Sequence, residues 1–142
     1  MVYEVWVLYF KSERGAPRHW SIFIKSANST NDIGSKHDAM STQTGNLMMQ
    51  RAGRGIRWRY TVLPNYNATQ SSTFDSKVFL GYINDPRDLE AIMEGTPMPI
   101  PPHENCQNWV WAIIQEAVRV GLMDASALTA LASIPTLGLG VS

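Results

Sequence analysis

The sequence predicts a single α+β domain over residues 1–142, in which a small antiparallel sheet packs against helices. A chain of 142 residues fits one domain and is long enough to bury a core. Segments rich in β-branched and aromatic residues fill the chain before residue 85, and helix-like segments with capping residues follow it. Strands followed by helices are typical of an α+β domain.

The strand-like segments begin with "YEVWVLYF", Tyr3 to Phe10, and "HWSIFIK", His19 to Lys25. Side chains alternate along a strand, so His19, Ser21 and Phe23 share one face of the second segment. A polar loop leads to a third strand around "SKHDAM". The last three strands are predicted at residues 35–40, 56–63 and 76–83.

The helix-like segments start where the hydrophobic period changes. Asp85 can cap a first helix, with Pro86 in its opening turn and Gly95 at its end. The segment "TPMPIPP" then interrupts regular structure. A second helix is predicted from about Glu104 to Val120, and a third in "DASALTALASI", with Asp124 as its cap.

The composition excludes several classes of protein. Twelve basic residues balance twelve acidic residues, so no overall field attracts nucleic acid. No apolar run reaches the roughly 20 residues of a membrane-spanning helix, so stable membrane insertion is not expected. A single cysteine excludes an internal disulfide and, with no signal peptide recognised, favours a cytoplasmic location.

Metal and cofactor binding are also not expected. One cysteine and three scattered histidines match no zinc pattern, and the glycines match no phosphate-binding loop. Four arginines in "RAGRGIRWR" could bind an acidic group, but strand alternation favours a solvated face for Arg57 and Arg59. The sequence leaves the oligomeric state open.

Cys106, the only cysteine, lies in "PPHENCQNWVWAII" at the predicted start of the second helix. Most free cysteines are small buried apolar residues, and Cys106 heads a core-facing stripe with Val110, Ile113 and Ala117. A helix N-terminus also favours the thiolate, which is the nucleophilic form. Both interpretations stay open at this point.

A cysteine nucleophile needs a base, usually histidine, and a polar group that orients the base. His19 begins the second strand, and His37 lies in the following segment, where strand pairing could bring it beside His19. His103 falls in the proline-bounded loop ahead of the helix. An exposed histidine at a strand start, with no chemical role, is the simpler interpretation of His19 taken alone.

The combination of "HWSIFI", a second histidine and "NCQNWV" at a helix start resembles the circularly permuted papain-like cysteine enzymes. The closest similarity is to the lecithin:retinol acyltransferase-like group. There an "HW" strand supplies the base, a second histidine orients it, and an "NC-x-x-[FW]-V" helix start carries the nucleophile. The similar permuted deSUMOylating isopeptidases use "NC-x-x-F" with a Cys–His pair.

This resemblance implies Cys106 as the nucleophile, His19 as the base and His37 as the third member, with Asp38 as the substitute for His37. Two features depart from the pattern: the 18-residue spacing between the histidines is long, and a hydrophobic anchor is missing. Alternation places Asp38 with Lys36 and Met40, which resembles a solvent face, so His37 is expected to face His19.

The function predicted from this resemblance is that of a cysteine-dependent acyl enzyme, either a thiol hydrolase or an acyltransferase. Its substrate would be an ester, thioester or amide in a small molecule, lipid or peptide. The backbone N–H of Cys106 would stabilise the oxyanion, with a nearby polar side chain such as Gln107 or Tyr9 as the candidate second donor. The alternatives are a peptidase or isopeptidase of the same fold, and a non-catalytic binding module that retains the cleft.

Overall fold

The computed structural model describes residues 1–43, 55–101 and 103–140. Within these ranges, five strands precede three helices, so the predicted α+β class is confirmed. The strands are β1 (Tyr3–Phe10), β2 (Trp20–Ser26), β3 (Ile33–Gln43), β4 (Ile56–Asn67) and β5 (Phe74–Ile83).

The strands form one sheet in the order β4-β3-β2-β1-β5, and every neighbouring pair is antiparallel. Each predicted strand is present, and β4 runs beyond its predicted end at Leu63 to Asn67. Pro64 has no N–H to donate, but β4 is an edge strand, where a proline can face away from the neighbouring strand. The proline therefore does not end this strand.

The helices are α1 (Pro86–Gly95), α2 (Cys106–Arg119) and α3 (Ser126–Ala132). The predicted cap of α1 is confirmed, because the Asp85 carboxylate accepts the N–H of Arg87. The Asp124 carboxylate likewise accepts the N–H of Ser126, but the cap position of α3 is Ala125. The helix therefore starts one residue later than predicted, and Asp124 stabilises its start from the position just before the cap.

Helix α2 begins two residues later than predicted, because Asn105 forms its cap. The Asn105 side chain accepts the N–H of Gln107, and the Asn108 side chain accepts the N–H of Asn105 in return. This reciprocal capping box fixes the first turn of the helix. As a result, Cys106 is the first helical residue.

The main core lies between the helices and one face of the sheet, where Val5, Ile22 and Ala39 pack with helix residues such as Ile113. A smaller cluster belongs to the opposite face, with members Leu8, Phe10, Phe23, Tyr66 and Ala68. The sheet is therefore buried on both faces near its centre. No helix of the described residues is long and apolar enough to cross a membrane.

Candidate active site

The thiol of Cys106 packs against the backbone at the start of β2. Its Sγ accepts the N–H of Trp20 at 3.5 Å and lies 3.8 Å from the carbonyl oxygen of Arg18. Those two residues flank His19 in the chain. Cys106 itself is 5% exposed, so the sulfur is a buried group at a helix start.

Gln107 anchors the start of α2. Its Nε2 donates to the carbonyl oxygens of Arg18 and Thr136, both at 2.8 Å. An amide nitrogen carries two protons, and these two bonds use both of them. Gln107 is therefore not free to act as the second oxyanion donor that the sequence suggested.

Residues 135 and 136 also hold the start of β2. The indole N–H of Trp20 donates to the carbonyl oxygen of Pro135 at 3.1 Å, and the N–H of Arg18 donates to that of Thr136 at 2.9 Å. The segment that carries His19 is thus fixed from both sides of the histidine.

His19 lies between Cys106 and a buried carboxylate. Its Nε2 is 2.7 Å from Oδ1 of Asp38, and its side chain is 32% exposed. Burial by itself lowers the pKa of His19, but hydrogen bonds to Asp38 and Cys106, with the electrostatic attraction of both, raise the pKa to about 9. The ring is therefore cationic at neutral pH, and Nδ1 is the nitrogen left for the thiol.

Asp38 is buried, and both of its oxygens accept hydrogen bonds. Its Oδ1 accepts from His19 and from the Ser21 hydroxyl, and its Oδ2 accepts from Nζ of Lys36 at 2.6 Å. Burial alone raises the pKa of Asp38, but the hydrogen bonds and positive charges of His19 and Lys36 outweigh it and lower the pKa. The carboxylate is therefore charged at neutral pH.

His37 points to the other face of the sheet, and the expectation that it faces His19 is corrected here. Its Nε2 is 2.8 Å from the Ser35 hydroxyl and its Nδ1 is 2.6 Å from the Tyr60 hydroxyl. Burial lowers the pKa of His37 to about 4, although the charge of Asp38 partly opposes this. His37 is a neutral core histidine that does not contact His19.

The register between β2 and β3 explains why Asp38 meets His19. Ile22 lies directly opposite His37, and residues opposite each other in an antiparallel pair point to the same face. His19 and Ser21 point to the other face, where Asp38 lies. That face was expected to be solvated, but Asp38 is only 1% exposed there.

An open cavity of about 260 Å³ adjoins Asp38 on the same face of the sheet. Its lining includes Lys36, Asp38, Met40, Arg59, Thr61 and Leu63. Arg57 and Arg59 are exposed, as strand alternation predicted, whereas Arg51 and Arg54 lie outside the described residues. His103 is exposed in the loop ahead of α2.

In the described part of the chain, no group of three or more His, Cys, Asp or Glu residues is arranged to hold a metal ion. The residues brought together are instead one thiol, one imidazole and one carboxylate.

A sequence model of DUF6540, a family of unknown function, matches residues 5–124. The chain belongs to this family. The matched range contains all but the first two residues of β1, the other four strands, α1 and α2, and with them Cys106, His19 and Asp38. No curated protein and no solved structure matches the chain.

Proposed function

We propose that this member of the DUF6540 family is a cysteine-dependent acyl enzyme, with Cys106 as nucleophile, His19 as general acid and base, and Asp38 as the group that orients His19. The supporting observation is the row of three side chains, in which an imidazole with a pKa of about 9 separates a thiol from a buried carboxylate. A cationic imidazole beside a thiol favours the thiolate, which is the attacking form.

The reaction begins when the Cys106 thiolate attacks the carbonyl carbon of an ester, thioester or amide. An S–C bond forms, and the carbonyl electron pair moves to oxygen. Collapse of this intermediate breaks the bond to the leaving group, which takes a proton from His19. Water or an amine then attacks the acyl-enzyme, His19 accepts its proton, and the thiolate departs as the acyl product is released.

Backbone groups around Cys106 support this chemistry. The Trp20 N–H that donates to Sγ stabilises negative charge on the sulfur. Cys106 is the first residue of α2, so its own N–H has no acceptor within the helix and can donate to an oxyanion. The helix N-terminus favours negative charge at the same place.

The sequence words that resemble the permuted papain-like enzymes support the same roles for Cys106 and His19. We propose the permuted papain-like arrangement for the fold on this basis. Asp38 takes the place that a second histidine has in the acyltransferase-like group, and it replaces His37 in the proposal. The substrate is a small-molecule, lipid or peptide acyl group, and a reducing cytoplasmic location would keep the thiol free.

One observation favours a second candidate, a binding module without catalysis. Cys106 is 5% exposed, which is the environment of a structural cysteine. The two candidates differ in whether the thiol reacts from the native state. That difference can be measured directly.

The test is to incubate the protein with a p-nitrophenyl acyl ester and look for a thioester on Cys106 by mass spectrometry. We expect an adduct that hydroxylamine removes, together with a burst of p-nitrophenol. Cys106→Ala should abolish the adduct, and His19→Ala should slow its formation by about 100-fold or more. His103→Ala is the matched control, because His103 is exposed in the adjoining loop.

Iodoacetamide labelling of Cys106 across pH gives an independent measurement. We expect labelling at neutral pH that depends on His19 and changes as the pH passes about 9, where His19 loses its proton. A thiol that is fully protected in the folded protein, with no acyl adduct, would favour the binding module.

A further inference from the structure

Lys36 is a buried cation beside the proposed active site. The residue is 8% exposed, and its ammonium lies 2.6 Å from Oδ2 of Asp38. The same nitrogen lies 5.2 Å from the ring centre of Tyr66 and 5.7 Å from that of Phe10. Burying an ammonium is costly unless it is paired, and here its partner is the carboxylate of Asp38. The position of Lys36 is therefore explained by this pairing and not by packing alone.

The two oxygens of Asp38 have different partners. Oδ1 accepts from His19 and Ser21, whereas Oδ2 accepts from Lys36. A carboxylate held at both oxygens cannot rotate about its terminal bond. Oδ1 is therefore kept on Nε2 of His19, which in turn keeps Nδ1 directed away from Asp38.

We propose that Lys36 is a positioning residue, which holds Asp38 ionised and oriented so that Asp38 can orient His19. This inference rests on the proposed function, because it assigns Lys36 a part in preparing the same imidazole. Lys36 acts through Asp38 and contacts no reacting atom. Its contribution is greatest in acid, where a buried carboxylate without a second cation would take up a proton.

The charged and titratable groups around Asp38 come from three segments of the chain. They are His19, Lys36, His37, Arg59, Tyr60 and Tyr66. Burial raises the pKa of both tyrosines, so they are neutral at physiological pH, and His37 is neutral as well. Lys36 is thus the cation, besides His19, that is bonded to the carboxylate.

The substitution that tests this role is Lys36→Met, which keeps an unbranched apolar side chain between Phe10 and Tyr66 and removes the charge. Lys77→Met is the matched control. The Lys77 ammonium lies 4.4 Å from the ring centre of Trp6 and 2.8 Å from Oδ1 of Asp32, so it makes the same two kinds of contact away from Asp38.

The first measurement is the ¹³C NMR titration of the Asp38 carboxyl, which needs no substrate. We expect the midpoint to move to higher pH in Lys36→Met and to stay unchanged in Lys77→Met. The second is the rate of Cys106 alkylation at pH 5 divided by the rate at pH 8. This ratio should fall by about tenfold or more in Lys36→Met, since an adjacent opposite charge shifts a titration by about 1 to 3 pH units.

Circular dichroism establishes that each variant is folded, and Lys36→Gln replaces Lys36→Met if the latter does not fold. An unchanged Asp38 midpoint and an unchanged alkylation ratio in a folded variant would overturn the role of Lys36. A shifted midpoint in a protein that forms no acyl adduct would contradict the proposed function instead, so the two failures can be told apart.

Discussion

The two faces of the sheet hold two histidines in opposite protonation states. On the helix side, the ring nitrogens of His37 face the hydroxyl groups of Ser35 and Tyr60, and burial lowers its pKa to about 4. On the other side, His19 meets the carboxylate of Asp38 and the thiol of Cys106, and its pKa rises to about 9. Burial lowers the pKa of both rings, and at His19 the hydrogen bonds and charges of its partners outweigh this effect.

Replacing Asp38 on one side and His37 on the other should give the largest contrast. Asp38→Asn removes the charge that holds His19 cationic, and we expect acyl-enzyme formation to slow by about 100-fold. His37→Gln should leave the rate near that of the wild type, because His37 does not contact His19. Stopped-flow measurement of the p-nitrophenol burst checks both variants.

Stability separates these two variants as well. Asp38→Asn leaves the buried Lys36 ammonium without its anion, which we expect to lower the free energy of unfolding by about 3 kcal/mol. Urea unfolding of both proteins at pH 7 measures this. If His37→Gln forms the acyl-enzyme slowly while Asp38→Asn is folded and fully active, the orienting role would belong to His37.

The second contrast is in the pH dependence of stability. The pKa of His37 is about 4 in the folded protein and 6.5 in the unfolded chain, so the unfolded chain binds more protons as the pH falls between these values. As the pH falls over this interval, protonation of His37 should therefore lower the free energy of unfolding by about 3 kcal/mol. The raised pKa of His19 stabilises the fold below pH 6.5, and that contribution is lost as the pH rises through about 9.

Urea unfolding of wild type and His37→Gln at intervals between pH 7 and pH 4 tests the His37 part. The wild-type curve should be steeper than that of the variant over this interval. Protonation of Asp38 also costs stability in acid, but it is common to both proteins and cancels in the comparison. Parallel curves would contradict the assignment of His37 as a neutral core group.

The smallest contrast deletes one hydroxyl from each side. Ser21→Ala removes a donor to Asp38, and Tyr60→Phe removes the partner of His37 Nδ1. Each should cost about 1 kcal/mol of unfolding free energy, the typical worth of one hydrogen bond. Only Ser21→Ala should change the rate of Cys106 alkylation, and an equal effect of Tyr60→Phe would show that the two sides are coupled.

Local patterns were enough to predict most of the elements. The bounds of β1 at Tyr3 and Phe10 match the run of β-branched and aromatic residues, and the cap of α1 at Asp85 follows from its neighbours. The start of α2 lies two residues after its predicted position, because Asn105, rather than a residue before it, makes the capping bonds. This error is small because capping is itself a local interaction.

The partner of His19 could not be predicted in this way, because it depends on register. Alternation correctly separated His37 from Asp38, but it does not say which of the two shares a face with His19. A slip of one residue between β2 and β3 exchanges the faces. The pairing of Ile22 with His37 settles the question, and it comes from packing across the whole sheet.

The carbonyl groups of Pro135 and Thr136 that hold Trp20, Arg18 and Gln107 have a consequence for biosynthesis. Ribosomes make the chain from its amino end, so Cys106 leaves the ribosome before these acceptors do. We expect the nascent thiol to be less protected than the finished one. Cellular oxidants could then convert it to sulfenic acid before the domain closes, and a reducing environment matters most during translation.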